Sequence, residues 1–295
     1  MITLHNACLT IDVAEHGAEL TSLRSDKREY LWQADPEFWA RHSPVLFPIV
    51  GNVYDKTFRI DDKPYTMGQH GFARDADFTV VSKTDDEVWL RLESNDATRQ
   101  LFPADFCLEI GYRLHDNCVD VMWRVTNPSA TEALHFQIGA HPAFYWPDHA
   151  PEGFERGYFA FDTQGTLSSR QLIGKGCVSP TVKFPVELDA EGMIPLTDET
   201  FDVIDTIILE GGQVHRVSLC DTQRRPMIAL HFEHPVVGLW SPPGRRAPFV
   251  CIEPWYGRCD TYGYEGEFCN RDWMNHLAPG EVFNSTYTIE VIECR

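Results

Sequence analysis

The sequence predicts an all-β protein in which large, mostly antiparallel sheets form a sandwich. Apolar and polar residues alternate with a period of two along most of the chain, as they do on strands with one buried face. Turn segments rich in Gly, Asp and Asn separate these runs, and helical patterns are few and short. No Pro- or Ser-rich linker divides the 295 residues, so we expect a single domain over residues 1–295.

Three hairpins are predicted in the first 130 residues, each from two alternating runs around a short turn. The paired runs are 8–14 with 18–23, 78–83 with 87–93, and 107–114 with 118–125. Further strands are predicted at 216–221, 226–232, 236–240, 249–252 and 285–292. The middle of the chain, roughly 145–200, is expected to be rich in loops.

Two short helices are predicted. Asp35–Arg41 has an acidic N-cap in Asp35, followed by Pro36 in the first turn. Asp96–Leu101 is followed closely by Pro103, which cannot continue a helix.

The charge of the chain excludes several classes of partner. There are 25 Lys+Arg against 44 Asp+Glu, which gives a net charge of −19. Nucleic-acid binding needs a basic face, and no Lys/Arg-rich run is present. The same charge repels anionic lipid, and no apolar run approaches the length of a membrane span. We therefore expect neither a nucleic-acid nor a membrane partner.

The cysteines indicate a reducing compartment. There are nine of them, an odd number, and none forms a C-x-x-C pair. The first residues lack the basic and apolar regions of a secretory signal. We therefore expect a cytoplasmic protein. Its expected oligomeric state is a monomer or a homodimer.

Three segments carry the candidate chemistry, because in each a His or Glu stands beside Gly, Pro and aromatic residues where the alternation breaks. They are 69–75, 139–144 and 251–257. His141 and Glu253 each end or follow an apolar strand, a position that places a polar group at a sheet rim or in a groove. A His and a Glu across one pocket can exchange protons near neutral pH. An ion pair or a rim hydrogen bond remains the alternative for each segment.

Metal binding is the main competing chemistry. His135 and His141 are an even number of residues apart and share a strand face, whereas His231 and His234 do not. Nucleophile elbows, phosphate loops, dinucleotide fingerprints and H-E-x-x-H are all absent from the sequence. We expect neither a metal nor a cofactor.

At the three segments the sequence resembles the aldose 1-epimerase (galactose mutarotase) family, particularly its lactose-operon-associated branch. The matching motifs are Phe47-Pro-Ile-Val-Gly, Gln69-His-Gly-Phe-Ala-Arg-Asp, His141-Pro-Ala-Phe, Pro195-Leu-Thr-Asp, Trp240-Ser and Pro248-Phe-Val-Cys-Ile-Glu-Pro-Trp-Tyr-Gly. Each is weak alone, but their order and spacing together are specific. The resemblance implies a galactose-mutarotase-like β-sandwich (a supersandwich) with a sugar groove on its concave sheet.

The resemblance also implies an activity, the interconversion of the α and β anomers of a free aldose by ring opening and closure. By motif, His141 matches the general acid and Glu253 the general base. The implied sugar-contacting residues are His70, Arg74, Asp205, Arg41 and Trp255, with Asp202 as the near alternative to Asp205. Nearby aromatic residues either cover the apolar face of the monosaccharide or pack in the core. These aromatic residues are Phe72, Phe144, Trp240, Trp255 and Tyr256.

One position departs from the family pattern. Asn52 stands where family members commonly carry an Arg, which leaves Arg74 or Arg41 to substitute. Two alternatives stay open. A hexose-6-phosphate mutarotase would hold its phosphate with Arg41 and Arg74. A non-catalytic carbohydrate-binding protein would keep the groove and lose turnover.

Overall fold

The computed structural model describes residues 1–147, 155–197 and 199–292. The strands in this part of the chain are β1 (Ile2–His5), β2 (Thr10–Val13), β3 (Leu20–Arg24), β4 (Val45–Leu46), β5 (Thr57–Ile60), β6 (Lys63–Thr66), β7 (Thr79–Lys83), β8 (Glu87–Glu93), β9 (Cys107–His115), β10 (Cys118–Thr126), β11 (Leu134–Phe136), β12 (Ile138–Ala140), β13 (Ala143–Tyr145), β14 (Glu155–Phe161), β15 (Thr166–Ile173), β16 (Cys177–Glu187), β17 (Met193–Thr197), β18 (Thr206–Glu210), β19 (Arg216–Cys220), β20 (Pro226–Phe232), β21 (Val236–Trp240), β22 (Phe249–Tyr256), β23 (Asn275–Leu277) and β24 (Val282–Val291). One α-helix, α1 (Asp96–Leu101), and the short 3₁₀ turns Tyr54–Lys56, Ala73–Asp75, Gly174–Gly176 and Phe268–Asn270 complete the described elements.

Two large antiparallel sheets dominate the architecture. One has nine strands in the order β17-β14-β19-β20-β24-β10-β9-β8-β7. The other has eight, with β16-β15-β18-β21-β22-β12-β4 in line and β13 also paired with β22. A three-stranded sheet, β1-β2-β3, and the small pairs β5-β6 and β11-β23 lie outside them. The predicted all-β class is confirmed.

The main core lies against both large sheets, and β22 shows how the sequence divides its two faces. Val250 and Ile252 belong to the same apolar cluster as Trp123 of the nine-stranded sheet and are buried there. The odd-numbered residues of 249–255 project from the opposite face, because successive side chains of a strand alternate. That second face carries the candidate site.

The predicted hairpins are confirmed. They correspond to β2–β3, β7–β8 and β9–β10, each paired antiparallel with its neighbour. Helix α1 is also confirmed, with Asn95 as its N-cap, accepting from the amides of Ala97 and Thr98. None of the helices in the described residues is long and apolar enough to cross a membrane.

The expected helix at Asp35–Arg41 is wrong. The backbone makes a single turn there, in which the amides of Phe38 and Trp39 donate to the Asp35 carbonyl at 3.1 and 3.0 Å. The Trp39 carbonyl accepts from the indole of Trp32 at 2.8 Å, so a side chain, and not the next helical turn, provides its donor.

The expected loop-rich middle is also wrong for the residues described there. Segment 155–197 contains β14, β15, β16 and β17. The edge strand β16 is largely exposed and includes Pro180 and Pro185, which an edge strand tolerates because its outer amides need no partner. Residues 148–154 and 198, which belong to the same prediction, lie outside the described part.

Candidate active site

Two buried titratable groups meet on the outer face of the eight-stranded sheet. Glu253 projects from β22, and His141 directly follows β12, where Pro142 withholds a backbone donor. His141 Nε2 lies 3.2 Å from Glu253 Oε2, and the two side chains are only 9% and 2% exposed. The structure thus brings together the two residues predicted to form the acid–base pair.

The protonation of this pair follows from its burial. Desolvation, followed by the nearby negative charge of Asp205, raises the pKa of Glu253 well above its ordinary value. Desolvation, followed by the positive charge of Arg74, lowers the pKa of His141 to about 3. Burial thus favours the uncharged form of each group, a carboxylic acid at Glu253 and a neutral imidazole at His141.

The imidazole of His70 also lines the cavity. Its ring meets that of His141 edge-on, with centroids 5.5 Å apart. The Gly51 amide donates to His70 Nδ1 at 3.1 Å, which leaves Nε2 as the N–H donor of the neutral ring. The backbone is left-handed at both His70 and Gly71, and a Cβ on Gly71 would lie 2.1 Å from the Phe47 carbonyl oxygen. Gly71 is therefore required by the turn that presents His70.

The two predicted arginines occupy different positions. Arg74 lines the cavity, donates from Nη2 to the Gln69 carbonyl at 2.7 Å, and has a buried Nε without a hydrogen-bond partner in the described residues. Burial, followed by the charge of Arg41, lowers its pKa to about 10. Arg41 does not line the cavity, and its Nη2 bonds Asp75 at 2.8 Å.

Aromatic rings enclose the pair. Trp39 stacks on His141 with centroids 4.7 Å apart, and Trp240 meets the same ring edge-on at 5.4 Å. Sequence reasoning missed Trp39, because it lies in the segment assigned to a helix and no pattern links it to His141. Other aromatic residues named from the sequence pack away from this cavity. These are Phe72, Phe144 and Tyr256.

Trp255 forms part of the cavity floor. Its indole is 5% exposed and donates to the Ala140 carbonyl at 3.1 Å. It lies against Gly139 and Gly238, where added Cβ atoms would come within 2.5 and 2.3 Å of the ring. The two glycines therefore make the space that the indole fills.

Asp205 and Asn52 also line the cavity. Asp205 lines the cavity, whereas Asp202 lies outside it and accepts from the Gly244 amide at 2.7 Å. Gly176 approaches Asn52 so closely that a Cβ there would lie 2.4 Å from Asn52 Nδ2. The small space left by Gly176 accommodates the Asn52 amide.

The cavity measures about 340 Å³, within the range of small-molecule sites. A larger cavity of about 580 Å³, lined by residues that include Arg59, His135 and Glu267, lies elsewhere. It contains neither His141 nor Glu253, so the smaller cavity is the candidate active site.

Comparison with known proteins identifies the family. A family model described as "Aldose 1-epimerase" matches residues 1–290. The chain belongs to the aldose 1-epimerase family. The resemblance inferred from the sequence motifs is thereby confirmed.

Relatives of this aldose 1-epimerase family member match it over nearly their full length. It is 27% identical over 299 residues to the chromosomal protein LacX of Lactococcus lactis subsp. lactis, which covers 99% of each chain. A galactose mutarotase related enzyme from Lactobacillus acidophilus is 32% identical, with a TM-score of 0.91 and coverage of 98% of this chain and 96% of that one. A galactose mutarotase-like protein from Lactobacillus casei ATCC 334 is 30% identical, with a TM-score of 0.88 and 99% coverage of both. The galactose-mutarotase-like fold is therefore confirmed.

Proposed function

We propose that the protein is an aldose 1-epimerase that interconverts the α and β anomers of a free aldose. The observation that carries the proposal is the buried His141–Glu253 pair, with its atoms 3.2 Å apart and its pKa values shifted in opposite directions. Groups with such shifts in a cavity are typical of acid–base catalysis. The membership of the aldose 1-epimerase family supports the same reaction type.

The reaction needs one proton acceptor and one proton donor. In its reactive form the pair consists of Glu253 as the carboxylate base and His141 as the imidazolium acid, with Oε2 and Nε2 3.2 Å apart. Glu253 then takes the proton of the C1 hydroxyl while His141 protonates the ring oxygen, and the bond between C1 and the ring oxygen breaks. Rotation about C1–C2 presents the other carbonyl face, and the same groups reverse roles to close the opposite anomer.

The remaining cavity residues are assigned to binding. His70 offers its Nε2–H and Arg74 its guanidinium to sugar oxygens, and Asp205 accepts from sugar hydroxyls. Trp255 and the aromatic rings around the pair cover the apolar face of the monosaccharide. Arg41 acts only at a distance, through its charge.

We also propose that residues 1–295 form one domain that works in the cytoplasm without a cofactor. None of the cysteines in the described residues forms a disulfide bond, which supports a reducing compartment.

A hexose-6-phosphate substrate is the second candidate, and one observation favours it. Arg74 presents a buried guanidinium whose Nε has no hydrogen-bond partner in the described part of the chain, and a phosphate would supply one. The engagement of Arg41 with Asp75 and the net charge of −19 favour the uncharged sugar.

Polarimetry on glucose, galactose and their 6-phosphates tests the proposal. Glu253→Gln and His141→Ala are each expected to lower the rate by roughly 10²- to 10⁴-fold, the usual contribution of a positioned acid or base. Glu93→Gln, the same change at an exposed position, is the matched control. A fully active Glu253→Gln variant would sink the assignment. Sugar binding by the wild type without turnover would instead favour a carbohydrate-binding protein.

A further inference from the structure

Cys251 lies beside the acid–base pair and has no part in the proposed reaction. It stands two residues before Glu253 on β22, so both side chains project from the same face of the strand. Its thiol is fully buried. Ligand atoms of His141, Cys251 and Glu253 all lie within 4.8 Å of one another. In the part of the chain that the structure describes, no other group of three such residues comes this close.

The spacing of these atoms suits a small metal ion. Tetrahedral zinc, with bonds of ~2.0–2.3 Å, holds its ligand atoms roughly 3.3–3.6 Å apart. His141 Nε2 and Glu253 Oε2, separated by 3.2 Å, are already close to that spacing. No two of the three ligand atoms are more than 4.8 Å apart, so a shift of about 1 Å would bring the thiol sulfur to the zinc spacing. The fourth ligand position is left to the cavity, which His141 and Glu253 both line.

Unsatisfied polar atoms provide an independent indication. Glu253 Oε2 is buried and has no hydrogen-bond partner among the described residues, since its approach to His141 lacks hydrogen-bond geometry. Leaving such a group unpaired is unfavourable, because it loses its hydrogen bonds to water without replacing them. A bound cation would satisfy this oxygen, and one thiolate with one carboxylate balances a double positive charge in a buried site.

We propose that His141, Cys251 and Glu253 form a three-ligand site for a thiophilic divalent cation of the Zn²⁺ class, which inhibits the enzyme by occupying its acid–base pair. The inhibition rests on the proposed function, whereas the binding site does not. Sulfur and imidazole ligands favour Zn²⁺ over Mg²⁺ or Ca²⁺. As the cation binds, the thiol and carboxyl protons pass to solvent.

The site is suited to an exchangeable ion. Metal-bound histidines usually donate from their second nitrogen to an acceptor, which fixes the ring. His141 Nδ1 has no such partner in the residues described. The missing second contact favours a weakly held ion that exchanges over a permanent cofactor.

Co²⁺ serves as the spectroscopic probe of this site, added to the reduced, chelator-treated protein. The wild type is expected to bind one Co²⁺ per chain, with the near-ultraviolet charge-transfer band of a cobalt–thiolate bond. Cys251→Ser and Cys251→Ala are expected to lose that band. Cys220→Ser, which changes another buried cysteine on β19 of the other large sheet, is the matched control and keeps it.

Zn²⁺ inhibition is measured in parallel, as the rate of each variant relative to its own rate in chelator. Loss of the thiol should raise the Zn²⁺ concentration for half-inhibition by about tenfold or more. A wild type without the thiolate band, or a Cys251→Ser variant that keeps it, overturns the site. Zn²⁺ that binds through Cys251 without slowing an active enzyme overturns the inhibition. If the wild type turns over no sugar, the proposed function fails, and the Co²⁺ spectrum still decides the metal site.

Discussion

His234 lies in a cage of aromatic rings, and its replacement is expected to make the protein more resistant to acid. Its imidazole contacts the rings of Trp123, Phe232, Tyr256 and Tyr287. Neither ring nitrogen has a hydrogen-bond partner in the described residues. Burial lowers its pKa to about 3, so the folded protein keeps the ring neutral in moderately acidic solution.

The size of the effect follows from proton linkage. An unfolded chain protonates this histidine near pH ~6.5, whereas the folded protein does so only near pH 3. Above pH ~6.5 the histidine is neutral in both states and does not reduce the free energy of unfolding. As the pH falls from there toward 3, the free energy of unfolding decreases by about 1.4 kcal/mol per pH unit through this residue. At about pH 5 this residue alone lowers the free energy of unfolding of the wild type by about 2 kcal/mol.

His234→Met removes this group with little change of volume and keeps favourable contacts with the rings. The free energy of unfolding, measured in urea near neutral pH and at about pH 5, should fall by about 2 kcal/mol less in the variant than in the wild type. The buried His70 and His141 are present in both proteins, so their contributions cancel. His231→Gln, which removes a partly exposed histidine bonded to Glu290, is the control. An equal acid loss in wild type and His234→Met would refute the reasoning.

Three further predictions concern the site. The alkaline decline of the pH–rate profile should lie well above the ordinary pKa of a carboxyl group, because burial and the charge of Asp205 raise the pKa of Glu253; an alkaline decline at the ordinary carboxyl pKa would contradict this. Asp205→Asn removes the charge that helps to raise that pKa, so the alkaline decline should move to lower pH in the same assay. Gly238→Ala places a Cβ against the Trp255 ring. The variant should unfold more easily, by about 1–3 kcal/mol in thermal melts, and should show slower turnover in polarimetry. Gly68→Ala, where the added Cβ meets nothing, is its control, and equal melting temperatures for the two variants would count against the close contact.

The sequence predicted those parts of the fold in which local and tertiary preferences agree. Apolar and polar residues alternate on both strands of the β9–β10 hairpin, and a tight turn joins them, so the sequence was sufficient to predict their pairing. Strand β16 shows no such alternation, because it lies at a sheet edge and exposes most of its central residues. The turn at Asp35 carries real helix-start signals, yet the Trp39 carbonyl accepts from the indole of Trp32, and side-chain hydrogen bonds of this kind are not part of the local propensities used for the prediction.

The site was predictable to the extent that its residues belong to motifs. His141, Glu253, His70, Arg74 and Asp205 were named from the sequence, and all of them line one cavity. Their catalytic and binding roles remain predictions. Packing around the pair was not visible in the sequence, so the Trp39 ring stacked on His141 was not foreseen.

The alternation along β22 also determines how this protein can vary. Val250 and Ile252 fill the core while Cys251 and Glu253 project from the opposite face of the strand, so a single inserted residue would exchange the two sets. Substitutions on this strand can be sampled one side chain at a time, but insertions and deletions cannot. Natural diversity in length should therefore accumulate in connecting turns such as the one around Gly244, where an added side chain would meet open space.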